Sequence, residues 1–169
     1  YTQADSIAEI YLILQDSLHD TWNKMLGDDN EKIKAMKGLI HEMRIGTQYT
    51  PEKLAALNER IDQLTKMRYT PKTMRNTEVV EEYDFASNSL VTELISMAES
   101  LSSFSYNTTI QKLVEQIRSS DLRVDNYRAD YDSVAVAYNR FIEQHSGSIK
   151  EIINTDTVMK KALFSADVE

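Results

Sequence analysis

The sequence predicts an all-α fold: an elongated, antiparallel, up-and-down bundle of long helices with heptad-like periodicity, forming one domain over residues 1–169. Three observations carry this. Only 4 Gly and 2 Pro occur in 169 residues, so helix breakers are scarce and the elements few and long. Apolar side chains recur at alternating steps of three and four, which lines them along one helix face, and no run alternates with strand period. Short stretches rich in capping residues separate the periodic segments, and a short connection between long helices lays them antiparallel.

In chain order, Ile7, Tyr11, Leu14, Leu18, Trp22 and Met25 form a first stripe, and Ile33, Met36, Ile40 and Met43 a second. Between them lies Gly27-Asp28-Asp29-Asn30. Asp28 with Glu31 has the spacing of a capping box, which starts a new helix. Yet Trp22, Leu26, Ile33, Ile40 and Met43 keep one heptad phase if Asp29 fills the gap. One bent helix and two helices both satisfy the pattern, and the capping signal favours two. Thr50-Pro51-Glu52 is a helix start, followed by Leu54, Leu57, Ile61 and Leu64 and ending near Met67. Thr70-Pro71 reads as the next start, Thr as N-cap and Pro in the first turn. Val80, Tyr83, Leu90, Leu94, Met97, Leu101 and Phe104 follow, with Ser87 in the missing place. Ser102, Ser103 and Ser105 mark a short turn. Asn107 then caps a last helix carrying Ile110, Leu113, Ile117, Val124, Tyr127, Tyr131, Val134, Tyr138 and Phe141, with Ser120 and His145 in phase. Gly147 is its expected stop, which makes it about 55 Å long at 1.5 Å per residue. These last two long helices are expected to pair along their stripes, burying Leu90, Leu94, Met97 and Leu101 against Ile117, Val124, Tyr131 and Val134. Beyond Gly147, Ile149, Ile152, Ile153, Leu163 and Phe164 are too apolar for a free tail, so a short helical or extended piece packed on the bundle is expected.

Composition narrows the function. With 19 Lys+Arg against 27 Asp+Glu the net charge is −8, which repels nucleic-acid phosphate and anionic lipid, so no nucleic-acid partner is expected. Cysteine is absent, which removes disulfides, thiolate metal sites and a cysteine nucleophile. No stretch approaches the roughly 20 apolar residues that span a bilayer. The chain begins at Tyr1 rather than Met, so removal of an upstream signal or anchor is expected, and any membrane attachment would lie there.

The last helix contains Arg123-Val124, Arg128, Tyr131-Asp132, Val134, Tyr138-Asn139 and Ile142. This resembles the C-terminal motif of the LemA family, an Arg-aliphatic pair leading through Arg and Tyr-Asn to a second Tyr-Asn and an aliphatic residue. Leu90, Leu94 and Glu99, then Asn107, Ile110, Leu113 and Ile117, are similar to the family's penultimate helix and the start of its last one. Thr50-Pro51-Glu52-Lys53-Leu54 resembles its Thr-Pro-Glu-Glu-Leu helix start. The likeness covers about half the chain. It departs in three places: the family's Arg-Arg-x-Asp-Leu-Ile-Pro-Asn-Leu-Val stretch is missing, Lys37-Gly38 and His41-Glu42 are one residue out of spacing with a family Lys-Gly and His-Glu pair, and Asp132 replaces the Asn of the first Tyr-Asn. The resemblance implies a divergent LemA-like helical bundle in the bacterial envelope, on its periplasmic or extracellular face, anchored by an N-terminal apolar segment or lipid.

Catalytic and metal motifs are lacking. His19, His41 and His145 stand in no His-Glu-x-x-His pattern, and the Glu-x-x-His of di-iron bundles does not occur. Asp28, Asp29 and Glu31 lack the ligand spacing and Gly of a calcium loop and read as capping. Four isolated Gly form no phosphate-cradling loop and no nucleophile elbow. The expectation is therefore a non-enzymatic protein without a cofactor, whose partner is another envelope protein; its oligomeric state is open, because heptad stripes serve bundles and coiled coils alike. Arg123, Arg128, Tyr131, Tyr138 and Asn139 are the candidate interaction or clamp residues. Arg128 has Asp125 and Asp132 at helical spacing, which predicts an ion pair. Arg123 has only Ser119, Ser120, Asn126 and Tyr127 three and four positions away, so it is expected to reach a carboxylate on another helix, with Asp84, Glu93 and Glu99 the candidates. The alternative reading is a small-ligand bundle with a groove lined by Tyr127, Tyr131 and Tyr138. A haem version would draw axial ligands from His41, Met43 or Met97, for which no spacing argues.

Overall fold

The computed structural model describes residues 2–153 and 159–165, of Ile152 and Ile153 only the backbone. Among these residues the fold is all-α, with four long helices and no strand: α1 (Gln3–Ile45), α2 (Pro51–Lys66), α3 (Thr77–Glu99) and α4 (Thr108–Ile153). Single-turn 3-10 helices lie at Thr73–Arg75 and Phe104–Tyr106. The chain divides into two compact units, one of residues 27–124 and one of 1–26 with 125–169. Helices α1 and α4 contribute to both.

In the 27–124 unit, paired residues fix the helix directions. Lys37 pairs with Asp62 at 2.9 Å and Arg68 with Asn30 at 2.7 Å, so α2 returns along α1. Arg60 meets Glu93 at 2.6 Å on α3. Lys32 bonds Ser87, and Tyr49, in the connection that follows α1, donates to the Met97 carbonyl at 2.6 Å, so α3 runs with α1. Gln116 reaches Glu31 and Arg123 reaches Asp28, so α4 opposes α1. This is the up-and-down order, and it makes α3 and α4 the expected antiparallel pair, with Arg118 bridging to Glu99 at 3.6 Å near their connection. Leu54, Leu57, Ile61 and Leu64 of α2, Leu90 and Leu94 of α3, and Met36, Leu39 and Ile40 of α1 are all buried.

The local signals divide. Thr50 caps α2 as expected, its side chain accepting from the Lys53 N–H at 3.2 Å, with Pro51 at the first position. Asn107 caps α4, its side chain accepting from the Ile110 N–H at 3.1 Å. Thr70 caps something shorter than expected. It starts only the Thr73–Arg75 turn, its Oγ1 accepting from the Thr73 N–H at 3.1 Å, and α3 starts afresh with Asn76 as N-cap. Burial of Tyr69 and Met74 on either side of Pro71 holds that kinked path. The two-helix reading of the N-terminal region is also corrected: α1 is one helix through Gly27-Asp28-Asp29-Asn30. Asp29 occupies the core position, Asp28 is bonded to α4 and Asn30 to Arg68 just beyond α2, so these side chains are engaged elsewhere.

The expected stop at Gly147 falls two residues late: helical geometry breaks at His145, φ −129° and ψ 20°, where the imidazole lies 4.7 Å from the Phe141 ring, and a second helical stretch continues across this kink to Ile153. The buried stripe of α4 also shifts. Ile110, Ile117, Val124, Tyr131 and Tyr138 are buried as expected, but Val114, Ala135 and Ile142 are buried where Leu113, Val134 and Phe141, one residue earlier, were expected and are half-buried. Residues four apart, Ile110 with Val114, Tyr131 with Ala135 and Tyr138 with Ile142, share one helix face, and here it is the four-step neighbour rather than the three-step one that turns inward. Leu101 is likewise half-buried, because α3 ends at Glu99.

The other unit has fewer parts. Residues 3–26 of α1 and 125–153 of α4 run antiparallel, as Trp22 beside Tyr131 (5.3 Å) and Tyr11 beside Tyr138 (6.1 Å) show. Ile149 is buried here, and the extended segment 159–165 returns along α4 as the expected packed piece, with Leu163 and Phe164 half-buried; the expectation for the Ile152 and Ile153 side chains lies outside the described residues. Two helices enclose little apolar surface by themselves, and the returning segment supplies the third side of this core.

Candidate functional site

Two dipeptides on α4, Tyr131-Asp132 and Tyr138-Asn139, stand seven residues apart. That is two helical turns, about 10.5 Å along one face. Segment 159–165 lies over them in the opposite direction. Asn139 Nδ2 donates to the Lys161 carbonyl at 2.8 Å, and the Lys161 N–H donates to Asn139 Oδ1 at 2.6 Å. The Phe164 N–H donates to Asp132 Oδ1 at 2.7 Å and the Ser165 N–H to Asp132 Oδ2 at 2.8 Å. Three extended residues span about 10–11 Å, so one heptad on the helix matches the step from residue 161 to residue 164. Four of the segment's backbone groups, which have no ladder or helix of their own, are satisfied by these two side chains.

The residue types fit the groups they face. An amide carries one donor and one acceptor side, so Asn139 completes both the N–H and the C=O of a single residue. An ionised carboxylate only accepts, so Asp132 takes two successive N–H groups, with the charge strengthening both bonds. The departure of Asp132 from the Asn of the resembled motif is thus matched to its donors.

At the Asp132 grip lies an aromatic seat. Phe164 stacks on Trp22 at 5.9 Å and 18°, meets Tyr131 edge-on at 5.6 Å, and has the Arg128 guanidinium 4.9 Å above its ring. The Lys161 ammonium lies 5.7 Å from the Tyr138 ring, and Lys160 pairs with Glu143 at 3.4 Å. Burial, with Tyr11 alongside, raises the Tyr138 phenol well above its usual range. Open clefts flank the segment, one bordered by Val136, Arg140 and Glu143, the other by Asp125, Ala129 and Ser133.

Four of the five candidate residues therefore meet one peptide segment: Arg128, Tyr131, Tyr138 and Asn139. Asp132, one of the two carboxylates at helical spacing from Arg128, accepts a backbone N–H on each of its oxygens. The tyrosine groove is altered. Tyr131 and Tyr138 are 2% exposed and packed against Trp22, Tyr11 and Phe164, and Tyr127 is half-buried. Trp22, Asp132, Lys161 and Phe164 complete the site. The apolar excess of the tail and the odd Asp in the motif were their only local signals.

Arg123, the fifth candidate, is an inter-helix clamp in the 27–124 unit. Its Nε donates to Asp28 Oδ1 at 2.8 Å and its Nη2 to Ser120 Oγ at 3.2 Å. The carboxylate comes from α1 and not from α3, where Glu93 and Glu99 pair with Arg60 and Arg118. One turn away is a buried charge cluster. Lys32 Nζ contacts Ser87 Oγ at 2.8 Å, Asp121 Oδ1 at 2.8 Å and Asp29 Oδ1 at 3.3 Å, three acceptors for three ammonium hydrogens. Asp29 also accepts a short bond from the Tyr83 hydroxyl. Arg68 Nε stands 3.1 Å from Asp29 Oδ2, near enough for charge pairing but outside hydrogen-bond geometry. Burial first, then the Asp29 charge, raises the Tyr83 phenol far above its usual range. Every charge here faces a partner, the arrangement of a structural lock.

His41 is exposed and Met43 and Met97 buried. Among the described residues no three His, Asp or Glu side chains gather as metal ligands, and no helix is long and apolar enough to cross a membrane. In comparison with known proteins, no family model, curated protein or solved structure matches this chain.

Proposed function

We propose that this chain is a non-enzymatic, LemA-like helical bundle of the bacterial envelope, held there by a segment upstream of Tyr1, and that it acts by binding or scaffolding another protein. The observation that carries the reading is what the Tyr-Asp and Tyr-Asn pairs touch. Both polar side chains bond peptide backbone, and the rings beside them take an aromatic side chain. Backbone hydrogen bonds for affinity and pockets for selected side chains are how proteins bind extended peptide. The resemblance of the same α4 residues to the LemA motif supports the envelope location. The small-ligand alternative has less support, since Trp22, Tyr11 and Phe164 fill the space beside Tyr131 and Tyr138.

The test is a photo-crosslinking amino acid placed in cells at exposed Ala129 beside the site, with exposed Lys34 as control. A discrete adduct with a protein, formed from position 129 and not 34 and recovered with the envelope fraction, is expected. Free chain alone, recovered away from the envelope, rejects the proposal.

A further inference from the structure

We propose that residues 159–165 are a tethered occupant of a peptide-binding groove on α4, and that the partner is a protein segment that replaces them: one with a basic residue at the Lys161 position and an aromatic one three residues later, where the chain bends. This rests on reading the chain as a protein-binding module, and adds to it the site, the partner's chemistry and a built-in competitor.

Three features point beyond simple tail packing. First, Asn139 and Asp132 hold only the backbone of the segment, so a chain that runs straight from the Lys161 position and bends at the Phe164 position, turning two successive N–H groups to one side, meets their requirement. Sequence enters through the side chains, Lys161 over Tyr138, Phe164 between Trp22, Tyr131 and Arg128, and Lys160 beside Glu143. Second, the groove needs an occupant. With Phe164 lifted away, Trp22 and Tyr131, now 9% and 2% exposed, lose an apolar covering, so departure of the segment is favourable only as an exchange. Third, the segment is weakly secured along its outer edge. Lys160, which pairs with Glu143, is exposed, Phe164 is half-buried, and open clefts on both flanks give an incoming chain room to begin pairing. The acidic chain, net −8, with Glu143 at the groove's edge, favours a basic partner segment.

The protein carries its own reporter, since Trp22 is the single tryptophan and stacks on Phe164. In the full chain, Lys161→Pro removes the N–H that Asn139 accepts, and Phe164→Ala empties the aromatic seat, while every groove residue stays intact. The double variant is expected to show red-shifted Trp22 emission with its helical circular dichroism retained. Titrating a synthetic peptide of residues 159–165 should return the emission saturably. A labelled copy should bind the double variant roughly tenfold or more tighter than the wild type, where the tethered occupant competes at a millimolar-range effective concentration. Adding Asn139→Ala should abolish the response. If the double variant loses helicity, Lys161→Pro alone is titrated instead. Unshifted emission, a shift that peptide does not reverse, or equal peptide binding by variant and wild type overturns the proposal. A failed titration beside a successful crosslink at position 129 would reject this groove and leave the protein-binding reading standing; failure of the crosslink alone would reject that reading.

Discussion

Asp132 and Asn139 face the same kind of backbone and differ only in one terminal group, O⁻ against NH₂. Each is matched to what it meets, two donors for the carboxylate and a donor with an acceptor for the amide. Exchanging them inverts the match. Asp132→Asn turns an NH₂ toward a backbone N–H, and Asn139→Asp turns a carboxylate oxygen toward the Lys161 carbonyl. Each change should cost about 1–3 kcal/mol of stability, the usual penalty for an unsatisfied buried group. Urea unfolding followed by Trp22 emission measures it, and variants as stable as wild type would show that the grip contributes nothing. The buried phenols make a second expectation at this scale. Tyr83 and Tyr138 ionise well above the usual value in the folded chain, because burial disfavours phenolate. Their raised folded values mean that the stability they contribute is whole below about pH 10, the unfolded value, and is lost as pH climbs from there toward the folded ones. Phenolate absorbance from these two residues should therefore rise only with loss of the 222 nm ellipticity. Tyr83→Phe and Tyr138→Phe should remove that coincident amplitude; absorbance appearing while the helix signal is intact would contradict it.

At the scale of elements, α1 shows how a local stop signal is overruled. Gly27 and three polar residues interrupt the apolar stripe, yet the helix continues because Asp29 is enclosed by Lys32, Tyr83 and Arg68 and Asp28 is held by Arg123. Apart from Lys32, these partners lie on α3 and α4 and just beyond α2, far from Gly27 in sequence. A Cβ at Gly27 would meet nothing within 4 Å. Gly27→Ala should accordingly stabilise the protein by about 0.5–1 kcal/mol, the helix-propensity difference, measured as a higher urea midpoint. A lower midpoint would mean a break in the helix at this point. At Gly38 the same substitution meets Leu113 Cδ2 at 3.2 Å, so that side chain must shift and the gain should be smaller.

At the scale of the molecule, the two compact units have unequal cores. Most fully buried large side chains, among them Met36, Leu39, Ile40, Leu54, Ile61, Leu90 and Leu94, belong to residues 27–124. The other unit relies on Trp22, Tyr131, Tyr138 and a segment held by four backbone bonds. Local opening follows such differences in burial. Hydrogen exchange in mild denaturant should therefore release amides of residues 5–26 and 125–149 before those of α2 and α3, and Phe164→Ala should widen the gap. Simultaneous release of all four helices would show one cooperative body.

Periodicity by itself determined the helical class, the N-caps at Thr50 and Asn107 and the inward phase of Ile117, Val124, Tyr131 and Tyr138, because helix geometry and capping act within a few residues. It also showed that Arg123 needed a carboxylate from elsewhere. Only the tertiary structure decided that the carboxylate is Asp28, that α3 begins at Thr77 and not at Pro71, and that Tyr131-Asp132 and Tyr138-Asn139 close on a segment more than twenty residues further along. Those outcomes rest on contacts between residues distant in sequence, where the phase of a helix says which side chains face inward but not which groups they will find.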